Sequence, residues 1–364
     1  MGGCTWFLKV NMLHKYGPAL GVLALLLTGC ALVPPANLSS ARFDYGSELA
    51  ESWKRQTLMN VVRLRYNDVP AFLDVSGVVT SDSRSASANA GVSLVRPVTE
   101  NTTDLGVSGS WSSAPTISYQ PMAGERFSKR VLEPMSPISV LMLVQAGWPI
   151  DMVWPTMVSS VNGLHSQSLG NPADPGFTEL QQVLSRIQQS HAVGFRLRPK
   201  EEGDALMMVL HREHVPKVAA DLKAMRKLLG LQPGANSLVV TFGEVPRNDR
   251  EMAINTRSML EVLQELGSGI ELPEAHVRQG RALPFAHAEA ESGDAPYQPL
   301  VSIRSGRAAP ADSYAAIPYK GYWFWIEDDD HRSKRLFSFL MMLLSLAETG
   351  QPAAPPVLTI STGR

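Results

Sequence analysis

From Ser85 to Leu94 the chain alternates Ser85, Ser87, Asn89, Gly91 and Ser93 with Ala86, Ala88, Ala90, Val92 and Leu94. After a polar turn around Thr99 to Asp104 the alternation resumes. Leu105, Val107 and Trp111 fall on one side, and Gly106, Ser108, Ser110 and Ser112 on the other. Successive strand residues point to opposite faces, so a period of two over this length argues for strands, and two such runs around a polar loop predict a hairpin. There is no charged residue between Ser85 and Val95, or between Leu105 and Gln120. A membrane-spanning strand needs ~9–11 residues with one apolar and one polar face and no charge towards lipid. Both runs meet that requirement, with Ala86, Ala88, Ala90, Val92, Leu94, Leu105, Val107 and Trp111 as the candidate lipid face. A lone hairpin cannot satisfy its edges in a membrane unless neighbouring copies close a ring. The alternative is a Ser/Gly-rich hairpin lying on a periplasmic domain with its small face against protein.

The first thirty residues bear on location. A lead with Lys9 and Lys15 precedes an apolar run, Ala19 to Leu27, which ends in Leu25-Leu26-Leu27-Thr28-Gly29-Cys30. The apolar run is far short of the ~20 residues that span a bilayer, so the order basic, apolar, small indicates a secretory signal. The Cys after Thr28-Gly29 resembles the lipobox of bacterial lipoproteins. That resemblance implies a diacylglycerol thioether on Cys30, cleavage before it, and acylation of the new amino terminus with a chain such as palmitate. Met12 is an alternative start that gives a shorter signal. Ala31 to Arg42 reads as a tether, and Ala at position 31 implies, by the same resemblance, sorting to the outer membrane.

Removing residues 1–29 from 364 leaves 335, enough for two domains of ordinary size. The formal charge moves from −1 to −3 because Lys9 and Lys15 leave. So weak a charge gives no electrostatic case for nucleic acid. Cys4 leaves with the signal, and a single remaining cysteine allows neither an internal disulfide nor a thiolate metal cluster.

The rest of the chain predicts an α+β protein. It begins with an N-terminal helix, the hairpin and further helices over residues 44–170, after the signal (1–29) and tether (30–43). A C-terminal half, 171–364, follows in which helices and strands alternate and pack as a sheet with helices. Ser47 to Tyr66 is a helix stopped by Asn67-Asp68-Val69-Pro70. Pro115 to Pro121 is a separate short edge strand. Short helices follow over Gly124 to Leu132, with Phe127, Val131 and Leu132 inward, and from Pro137, capped by Ser136, to Gly147. Gly170 to Gly176 is the clearest loop and marks the boundary. Beyond it come a helix capped at Asp174 and strands Val193–Arg198 and Ala205–His211. A helix opened by Pro216, strand Leu238–Phe242 and a helix capped by Thr256 with Leu260 inward come next. Strands Leu300–Arg304 and Tyr322–Ile326, helix Asp330–Glu348 and strand Pro356–Ser361 complete the half.

Several stretches carry groups that chemistry could use. Glu327-Asp328-Asp329-Asp330 offers hard carboxylate oxygens for Ca²⁺ or Mg²⁺, but its spacing is not an EF-hand loop. Acids ahead of a helix also cap it and complement its dipole, and Asp330 is placed to do so. His211 and His214 sit in HREH at i, i+3, which is not the H-E-x-x-H of a zincin helix. No G-x-S-x-G nucleophile elbow occurs, and Gly267-Ser268-Gly269 follows a helix where a phosphate loop would precede one. Trp148 and Trp154 flank an apolar segment that fits either a core or a ligand groove. No catalytic residue, metal ligand or cofactor is assigned beyond the covalent lipid on Cys30.

Asn60-Val61-Val62-Arg63-Leu64-Arg65-Tyr66-Asn67-Asp68 and Gly321-Tyr322-Trp323-Phe324-Trp325-Ile326, with Ser333-Lys334-Arg335 beyond, resemble an uncharacterised family of Gram-negative lipoproteins. The similarity implies a location and no activity. The first expectation is therefore an outer-membrane-anchored, periplasm-facing lipoprotein with a structural, assembly or partner-docking role. It meets the membrane through its lipid, docks envelope proteins and oligomerises through residues 85–112. A periplasmic hydrolase acting on envelope material, and a small-molecule binding module around Trp148 and Trp154, are the alternatives. The missing motifs point away from an enzyme.

Overall fold

The structure is a computed structural model that describes residues 38–93, 102–122, 124–198, 205–210, 215–234, 237–285 and 297–346. It divides into two compact units at Lys54/Arg55. In the first unit the described part is the start of helix α1 (Leu38–Arg65), where Lys54 pairs with Glu51 one turn earlier. Everything that follows concerns the second unit, residues 55 onward.

The end of α1 is tightly specified. Leu58, Val61, Val62 and Tyr66 form its buried stripe, and Leu64 is half-buried. Asn67 adopts a left-handed conformation (φ 54°). Asp68 N–H bonds to Arg63 O and Asn67 N–H to Leu64 O, the paired bonds of a Schellman C-cap with Asn in the position glycine usually takes. The buried Asn60 then brackets the chain as it turns back. Its Nδ2 donates to Ala71 O and its Oδ1 accepts from Ala71 N–H, both at 2.9 Å. Strand β1 (Leu73–Ser93) leaves from this bracket and pairs antiparallel with β2 (Thr102–Pro121) as a two-stranded sheet. Met122 N–H to Phe72 O closes its base.

The strands are about twice as long as the alternating pattern indicated. Residues 115–121, expected as a separate edge strand, continue β2, and Pro115 lies opposite Thr80. A ribbon of two strands has an outward side on each, where a proline's missing N–H costs no ladder bond. A bulge between Val75 and Gly77 near the base inserts one unpaired residue, which sharpens the local twist.

Past the hairpin, α2 (Gly124–Phe127) runs into a π-helical turn, Ser128–Leu132. Val131 is buried there, but Leu132, expected inward, is exposed. Helices α3 (Pro137–Gln145) and α4 (Ile150–Met157) follow. Strands β3 (Val158–Val161) and β4 (Leu164–His165) form a hairpin around Asn162-Gly163, both at positive φ as a type I′ turn requires. Then come α5 (Pro175–Gln189), β5 (Val193–Arg198), β6 (Ala205–Leu210), a 3₁₀ turn (Val215–Val218), α6 (Ala219–Leu228), β7 (Ser237–Phe242) and β8 (Glu251–Thr256). Six strands make one sheet in the order β4-β3-β8-β7-β6-β5, antiparallel except for β7 and β8. The pairing of β3 with β8 joins residues on either side of the Gly170–Gly176 loop, so one sheet spans the place where the sequence suggested a boundary.

Helix α7 (Met259–Gly267) is capped by Ser258, not by Thr256. Ser258 and Glu261 form a reciprocal capping box, whereas Thr256 ends β8 and spends its hydroxyl on Met135 O. Val262 takes the buried place expected of Leu260. After α8 (Glu274–Arg278), strands β9 (Arg304–Gly306), β10 (Ala315–Tyr319) and β11 (Tyr322–Ile326) form an antiparallel sheet in the order β10-β11-β9, and α9 (His331–Leu346) closes the described chain. The strand expected at Leu300–Arg304 is β9, shifted towards its C-terminus. The strand expected at 356–361 lies outside the described residues. One continuous apolar core joins the end of α1, both sheets and α9, from Leu58 through Trp154, Met252 and Phe324 to Leu343. The protein is α+β.

Where α7 ends, backbone meets backbone. Ile303 N–H donates to Gly269 O and Glu271 N–H to Ile303 O, which locks the helix exit to residues 299–303. A Cβ on Gly269 would stand 1.8 Å from Val301 O, which no rotamer can relieve. Gly269→Ala should therefore destabilise the fold by about 2–3 kcal/mol or more. A chemical denaturation midpoint unchanged from wild type would refute this.

Candidate functional site

The register of β1 and β2 settles which hairpin residues share a face. Ala86 lies opposite Gly109, Ala88 opposite Val107, Ala90 opposite Leu105 and Val92 opposite Thr103. Arg84 lies opposite Trp111. Directly paired residues lie on one face, so the apolar residues of both strands form a single stripe. Ser85, Ser87, Asn89 and Gly91, with Ser110, Ser108, Gly106 and Asp104, make up the other face. Charges divide the ribbon lengthwise. The base carries Asp74, Asp82 and Arg84. From Ser85 to Ser93 and from Thr102 to Ser110 the single charge is Asp104, on the polar face. Nine residues per strand make ~30 Å of ribbon, the thickness of a bilayer's hydrocarbon core. Leu94 and Cys30 lie outside the described residues.

The two phrases that carried the family resemblance pack against each other. Tyr66, at the end of α1, makes edge contacts with Tyr319 (5.4 Å), Phe324 (6.0 Å) and His276 (5.5 Å). Its hydroxyl and His276 Nδ1 are 2.7 Å apart. Asp68 accepts from the Tyr319 hydroxyl and pairs with Lys320 Nζ at 2.6 Å. Lys320 (φ 46°) and Gly321 (φ 83°) form the β10–β11 turn that delivers these groups. Hydrogen bonds from Lys320 and Tyr319 hold the Asp68 carboxyl below its ordinary value. Burial pushes the Tyr66 phenol up to about 12. His276 is buried, and burial together with the nearby Arg281, Lys320 and Arg307 lowers its pKa. Sequence reading missed His276 because its partners lie more than forty residues away on both sides.

A second histidine has its pKa shifted the other way. His165 Nε2 lies 2.9 Å from Glu244 and Nδ1 3.2 Å from Asp174, whose carboxylate also accepts the His165 backbone N–H at 2.7 Å. The Glu244 and Asp174 bonds raise its pKa. Asp174 stands at the N-cap of α5, as expected, but its carboxylate serves His165 and makes no cap bond. Both ring nitrogens face carboxylates, so the ring has none to offer a serine as a base. Behind β3 lies a buried cation. Arg257 donates to the carbonyls of Pro155, Thr156 and Gln167, while the buried Glu265 accepts from Gln167, Leu169 and Tyr297. The network holds the 155–169 segment and Tyr297 to α7 and the residues that lead into it.

The acidic run before α9 is structural. Asp330 caps the helix by accepting from Ser333 N–H at 3.0 Å and from its hydroxyl at 2.5 Å, and Asp328 pairs with Lys334 at 2.7 Å. Among the described residues no group of three or more potential ligands is arranged to hold a metal ion. His211 and His214 lie outside the described residues. Gly267-Ser268-Gly269 is the packed helix exit described above.

Trp148 and Trp154 divide between core and cavity. Trp148 packs on Phe339 of α9 at 4.9 Å. Trp154 is 1 % exposed and forms part of the wall of a cavity of about 660 Å³ between α3, α4, α5 and the sheet. No helix among the described residues is long and apolar enough to cross a membrane. No protein-family model, curated protein or solved structure matches the chain.

The histidines give opposite pH signatures. The lowered His276 pKa means that the unfolded chain takes up that proton first. Its contribution is complete above about pH 6.5 and is lost as pH falls below that. His165, with a raised value, contributes below about pH 6.5 and loses its contribution as pH rises through its folded pKa. We expect the drop in melting temperature between pH 7 and pH 5.5 to be smaller in His276→Phe than in wild type. Parallel melting-temperature profiles for the two proteins would show that His276 carries no such linkage.

Proposed function

We propose that the chain is a lipid-anchored outer-membrane protein with a structural or assembly role, whose copies associate through the β1–β2 hairpin. The observation that carries this reading is the register, which gathers the apolar residues of both strands on one face of a charge-poor, bilayer-length half-ribbon. A two-stranded hairpin alone is at best marginally stable in water, and it exposes a row of unpaired N–H and C=O groups along each outer edge. Identical hairpins side by side pair those edges and close them, which is the arrangement a membrane demands of strands. The Ala/Val/Leu stripe then faces lipid with Trp111 and Arg84 at its margin, and the Ser/Gly/Asn face lines the interior. Lipidation at Cys30 holds the chain to the outer membrane facing the periplasm, and the folded body is the surface that envelope partners meet.

The two faces make the reading testable. Arg placed on the lipid face at mid-membrane costs about 2–4 kcal/mol per copy, whereas the interior face tolerates it. Full-length protein extracted from membranes in mild detergent should have a multi-copy mass by light scattering. Ala88→Arg should reduce it to the monomer, and Asn89→Arg, one residue away on the opposite face, should leave it intact. A monomeric wild type, or equal behaviour of the two variants, would sink the hairpin assembly.

The anchor has its own check. Cys30→Ser should abolish incorporation of labelled palmitate and release the protein from the outer-membrane fraction. Unaltered labelling would remove Cys30 as the lipid site.

A further inference from the structure

The cavity beside Trp154 has the features of a binding site for a small organic acid. Its volume, about 660 Å³, lies in the range that holds drug-sized molecules. Leu141, Ile150, Trp154, Ile187, Met208 and Met252 form a buried apolar floor, and all six are 4 % exposed or less. One wall is rigid. The carboxamide of Gln188 accepts from Ile150 N–H at 3.0 Å and donates to Val144 O at 3.1 Å and Trp148 O at 2.7 Å. That one side chain ties the end of α3 to the start of α4, so the space between them is braced open.

Two polar features of the lining lack partners. The Trp154 indole N–H is buried with no acceptor and is closed off from the open space of the cavity. Arg335 reaches the rim from α9, one turn before the Phe339 that packs on Trp148, and it makes no ion pair with any described residue. The acid on the rim, Asp151, is exposed and lies in the first turn of α4, where the helix dipole favours its ionised form. The rim therefore offers a cation with no ion-pair partner among the described residues, above an apolar floor.

We infer that this cavity binds a small amphipathic monoanion, an aryl or short alkyl carboxylate, with its apolar body on the Trp154 floor and its carboxylate at Arg335. The inference does not depend on the hairpin or on the lipid anchor.

The probes are 2-naphthoate, its neutral counterpart 2-naphthamide, and octanoate, titrated by calorimetry into detergent-solubilised full-length protein with a detergent-only blank. Naphthoate or octanoate should bind with 1:1 stoichiometry, and naphthamide about threefold or more weakly than naphthoate. Arg335→Gln should erase the difference between naphthoate and naphthamide. Ser185→Trp, which places bulk at the half-buried margin of the cavity, should abolish binding of every probe while leaving the melting temperature within a few degrees of wild type. Should Ser185→Trp lower the melting temperature further, Gln189→Trp on the exposed margin serves in its place. The inference fails if neither acid binds at millimolar concentration, if binding survives the blocking variant, or if naphthamide binds as tightly as naphthoate.

Discussion

The architecture of the second unit depends on how α1 ends. A helix leaves its last carbonyls without partners, and a buried end must satisfy them or pay for the omission. Here Asn67 supplies the left-handed residue that closes the helix, and Asn60 reaches forward to bracket Ala71 from both sides. Asp68 is tied to Tyr319 and Lys320, so the helix end is fixed to the small sheet. Tyr66 sits between them with His276 on its hydroxyl. Within twelve residues the chain ends a helix, reverses, docks on a second element and starts a long hairpin. The direction in which β1 leaves is set by these side-chain bonds, because the hairpin itself has no other sheet to lean on among the described residues.

That concentration of contacts gives a physical reason why the phrase Asn60 to Asp68 stands out in the sequence. Val61 and Val62 are core, Tyr66 is the hub, Arg63 and Leu64 lend the capping carbonyls, Asn67 supplies the left-handed turn, Asn60 makes two bonds to Ala71, and Asp68 takes Tyr319 and Lys320. The partner phrase, Gly321 to Ile326, is the strand that delivers Phe324 to the same hub. A sequence shows such phrases as unusual strings. It does not show that they touch, because more than 250 residues separate them and no periodicity links the two.

Elements with local signals were legible in the chain, and elements specified by their neighbours were not. The helices from Pro137 and Pro175 announce themselves through proline at the first turn and an apolar stripe, and Asp330 caps α9 as its position suggested. Strand β8 is central in the large sheet yet carries no alternation. Glu251 is buried there because Arg247 N–H bonds its carboxylate, and Met252, Ala253 and Ile254 are buried in succession. A strand covered on both faces loses its period of two, and a six-residue run of that kind cannot be told from loop or helix. Missing β8 displaced the cap of α7 onto Thr256. It also hid the pairing with β3 that carries the sheet across Gly170–Gly176. Of the candidate sites, the hairpin faces could be read from the chain because alternation is a local property. The His276 hub, the His165 clasp and the Trp154 cavity could not, since each is assembled from three or more distant segments.

The two halves of the hairpin differ in how they could be read, and the difference is physical. The distal half has one requirement, a clean division into faces, and the sequence meets it with Ala, Val and Leu against Ser, Gly and Asn. The proximal half must also pass the bulge at Val75/Gly77 and accommodate Pro115, so its alternation is broken although its pairing is not. A ribbon ~65 Å long made of two strands is the least self-sufficient element in the molecule. The body is the reverse, with a continuous apolar core, helices capped at Ser258 and Asp330, and partners for the buried Glu251, Arg257 and Glu265. Among the described residues both outer edges of the ribbon lack a strand partner over about twenty residues, and it is these edges that the proposed association of copies would pair. The alternative cost, a row of solvent-exposed edge groups on a long flat strand, is the arrangement that native sheets avoid with charges, and the distal half carries almost none.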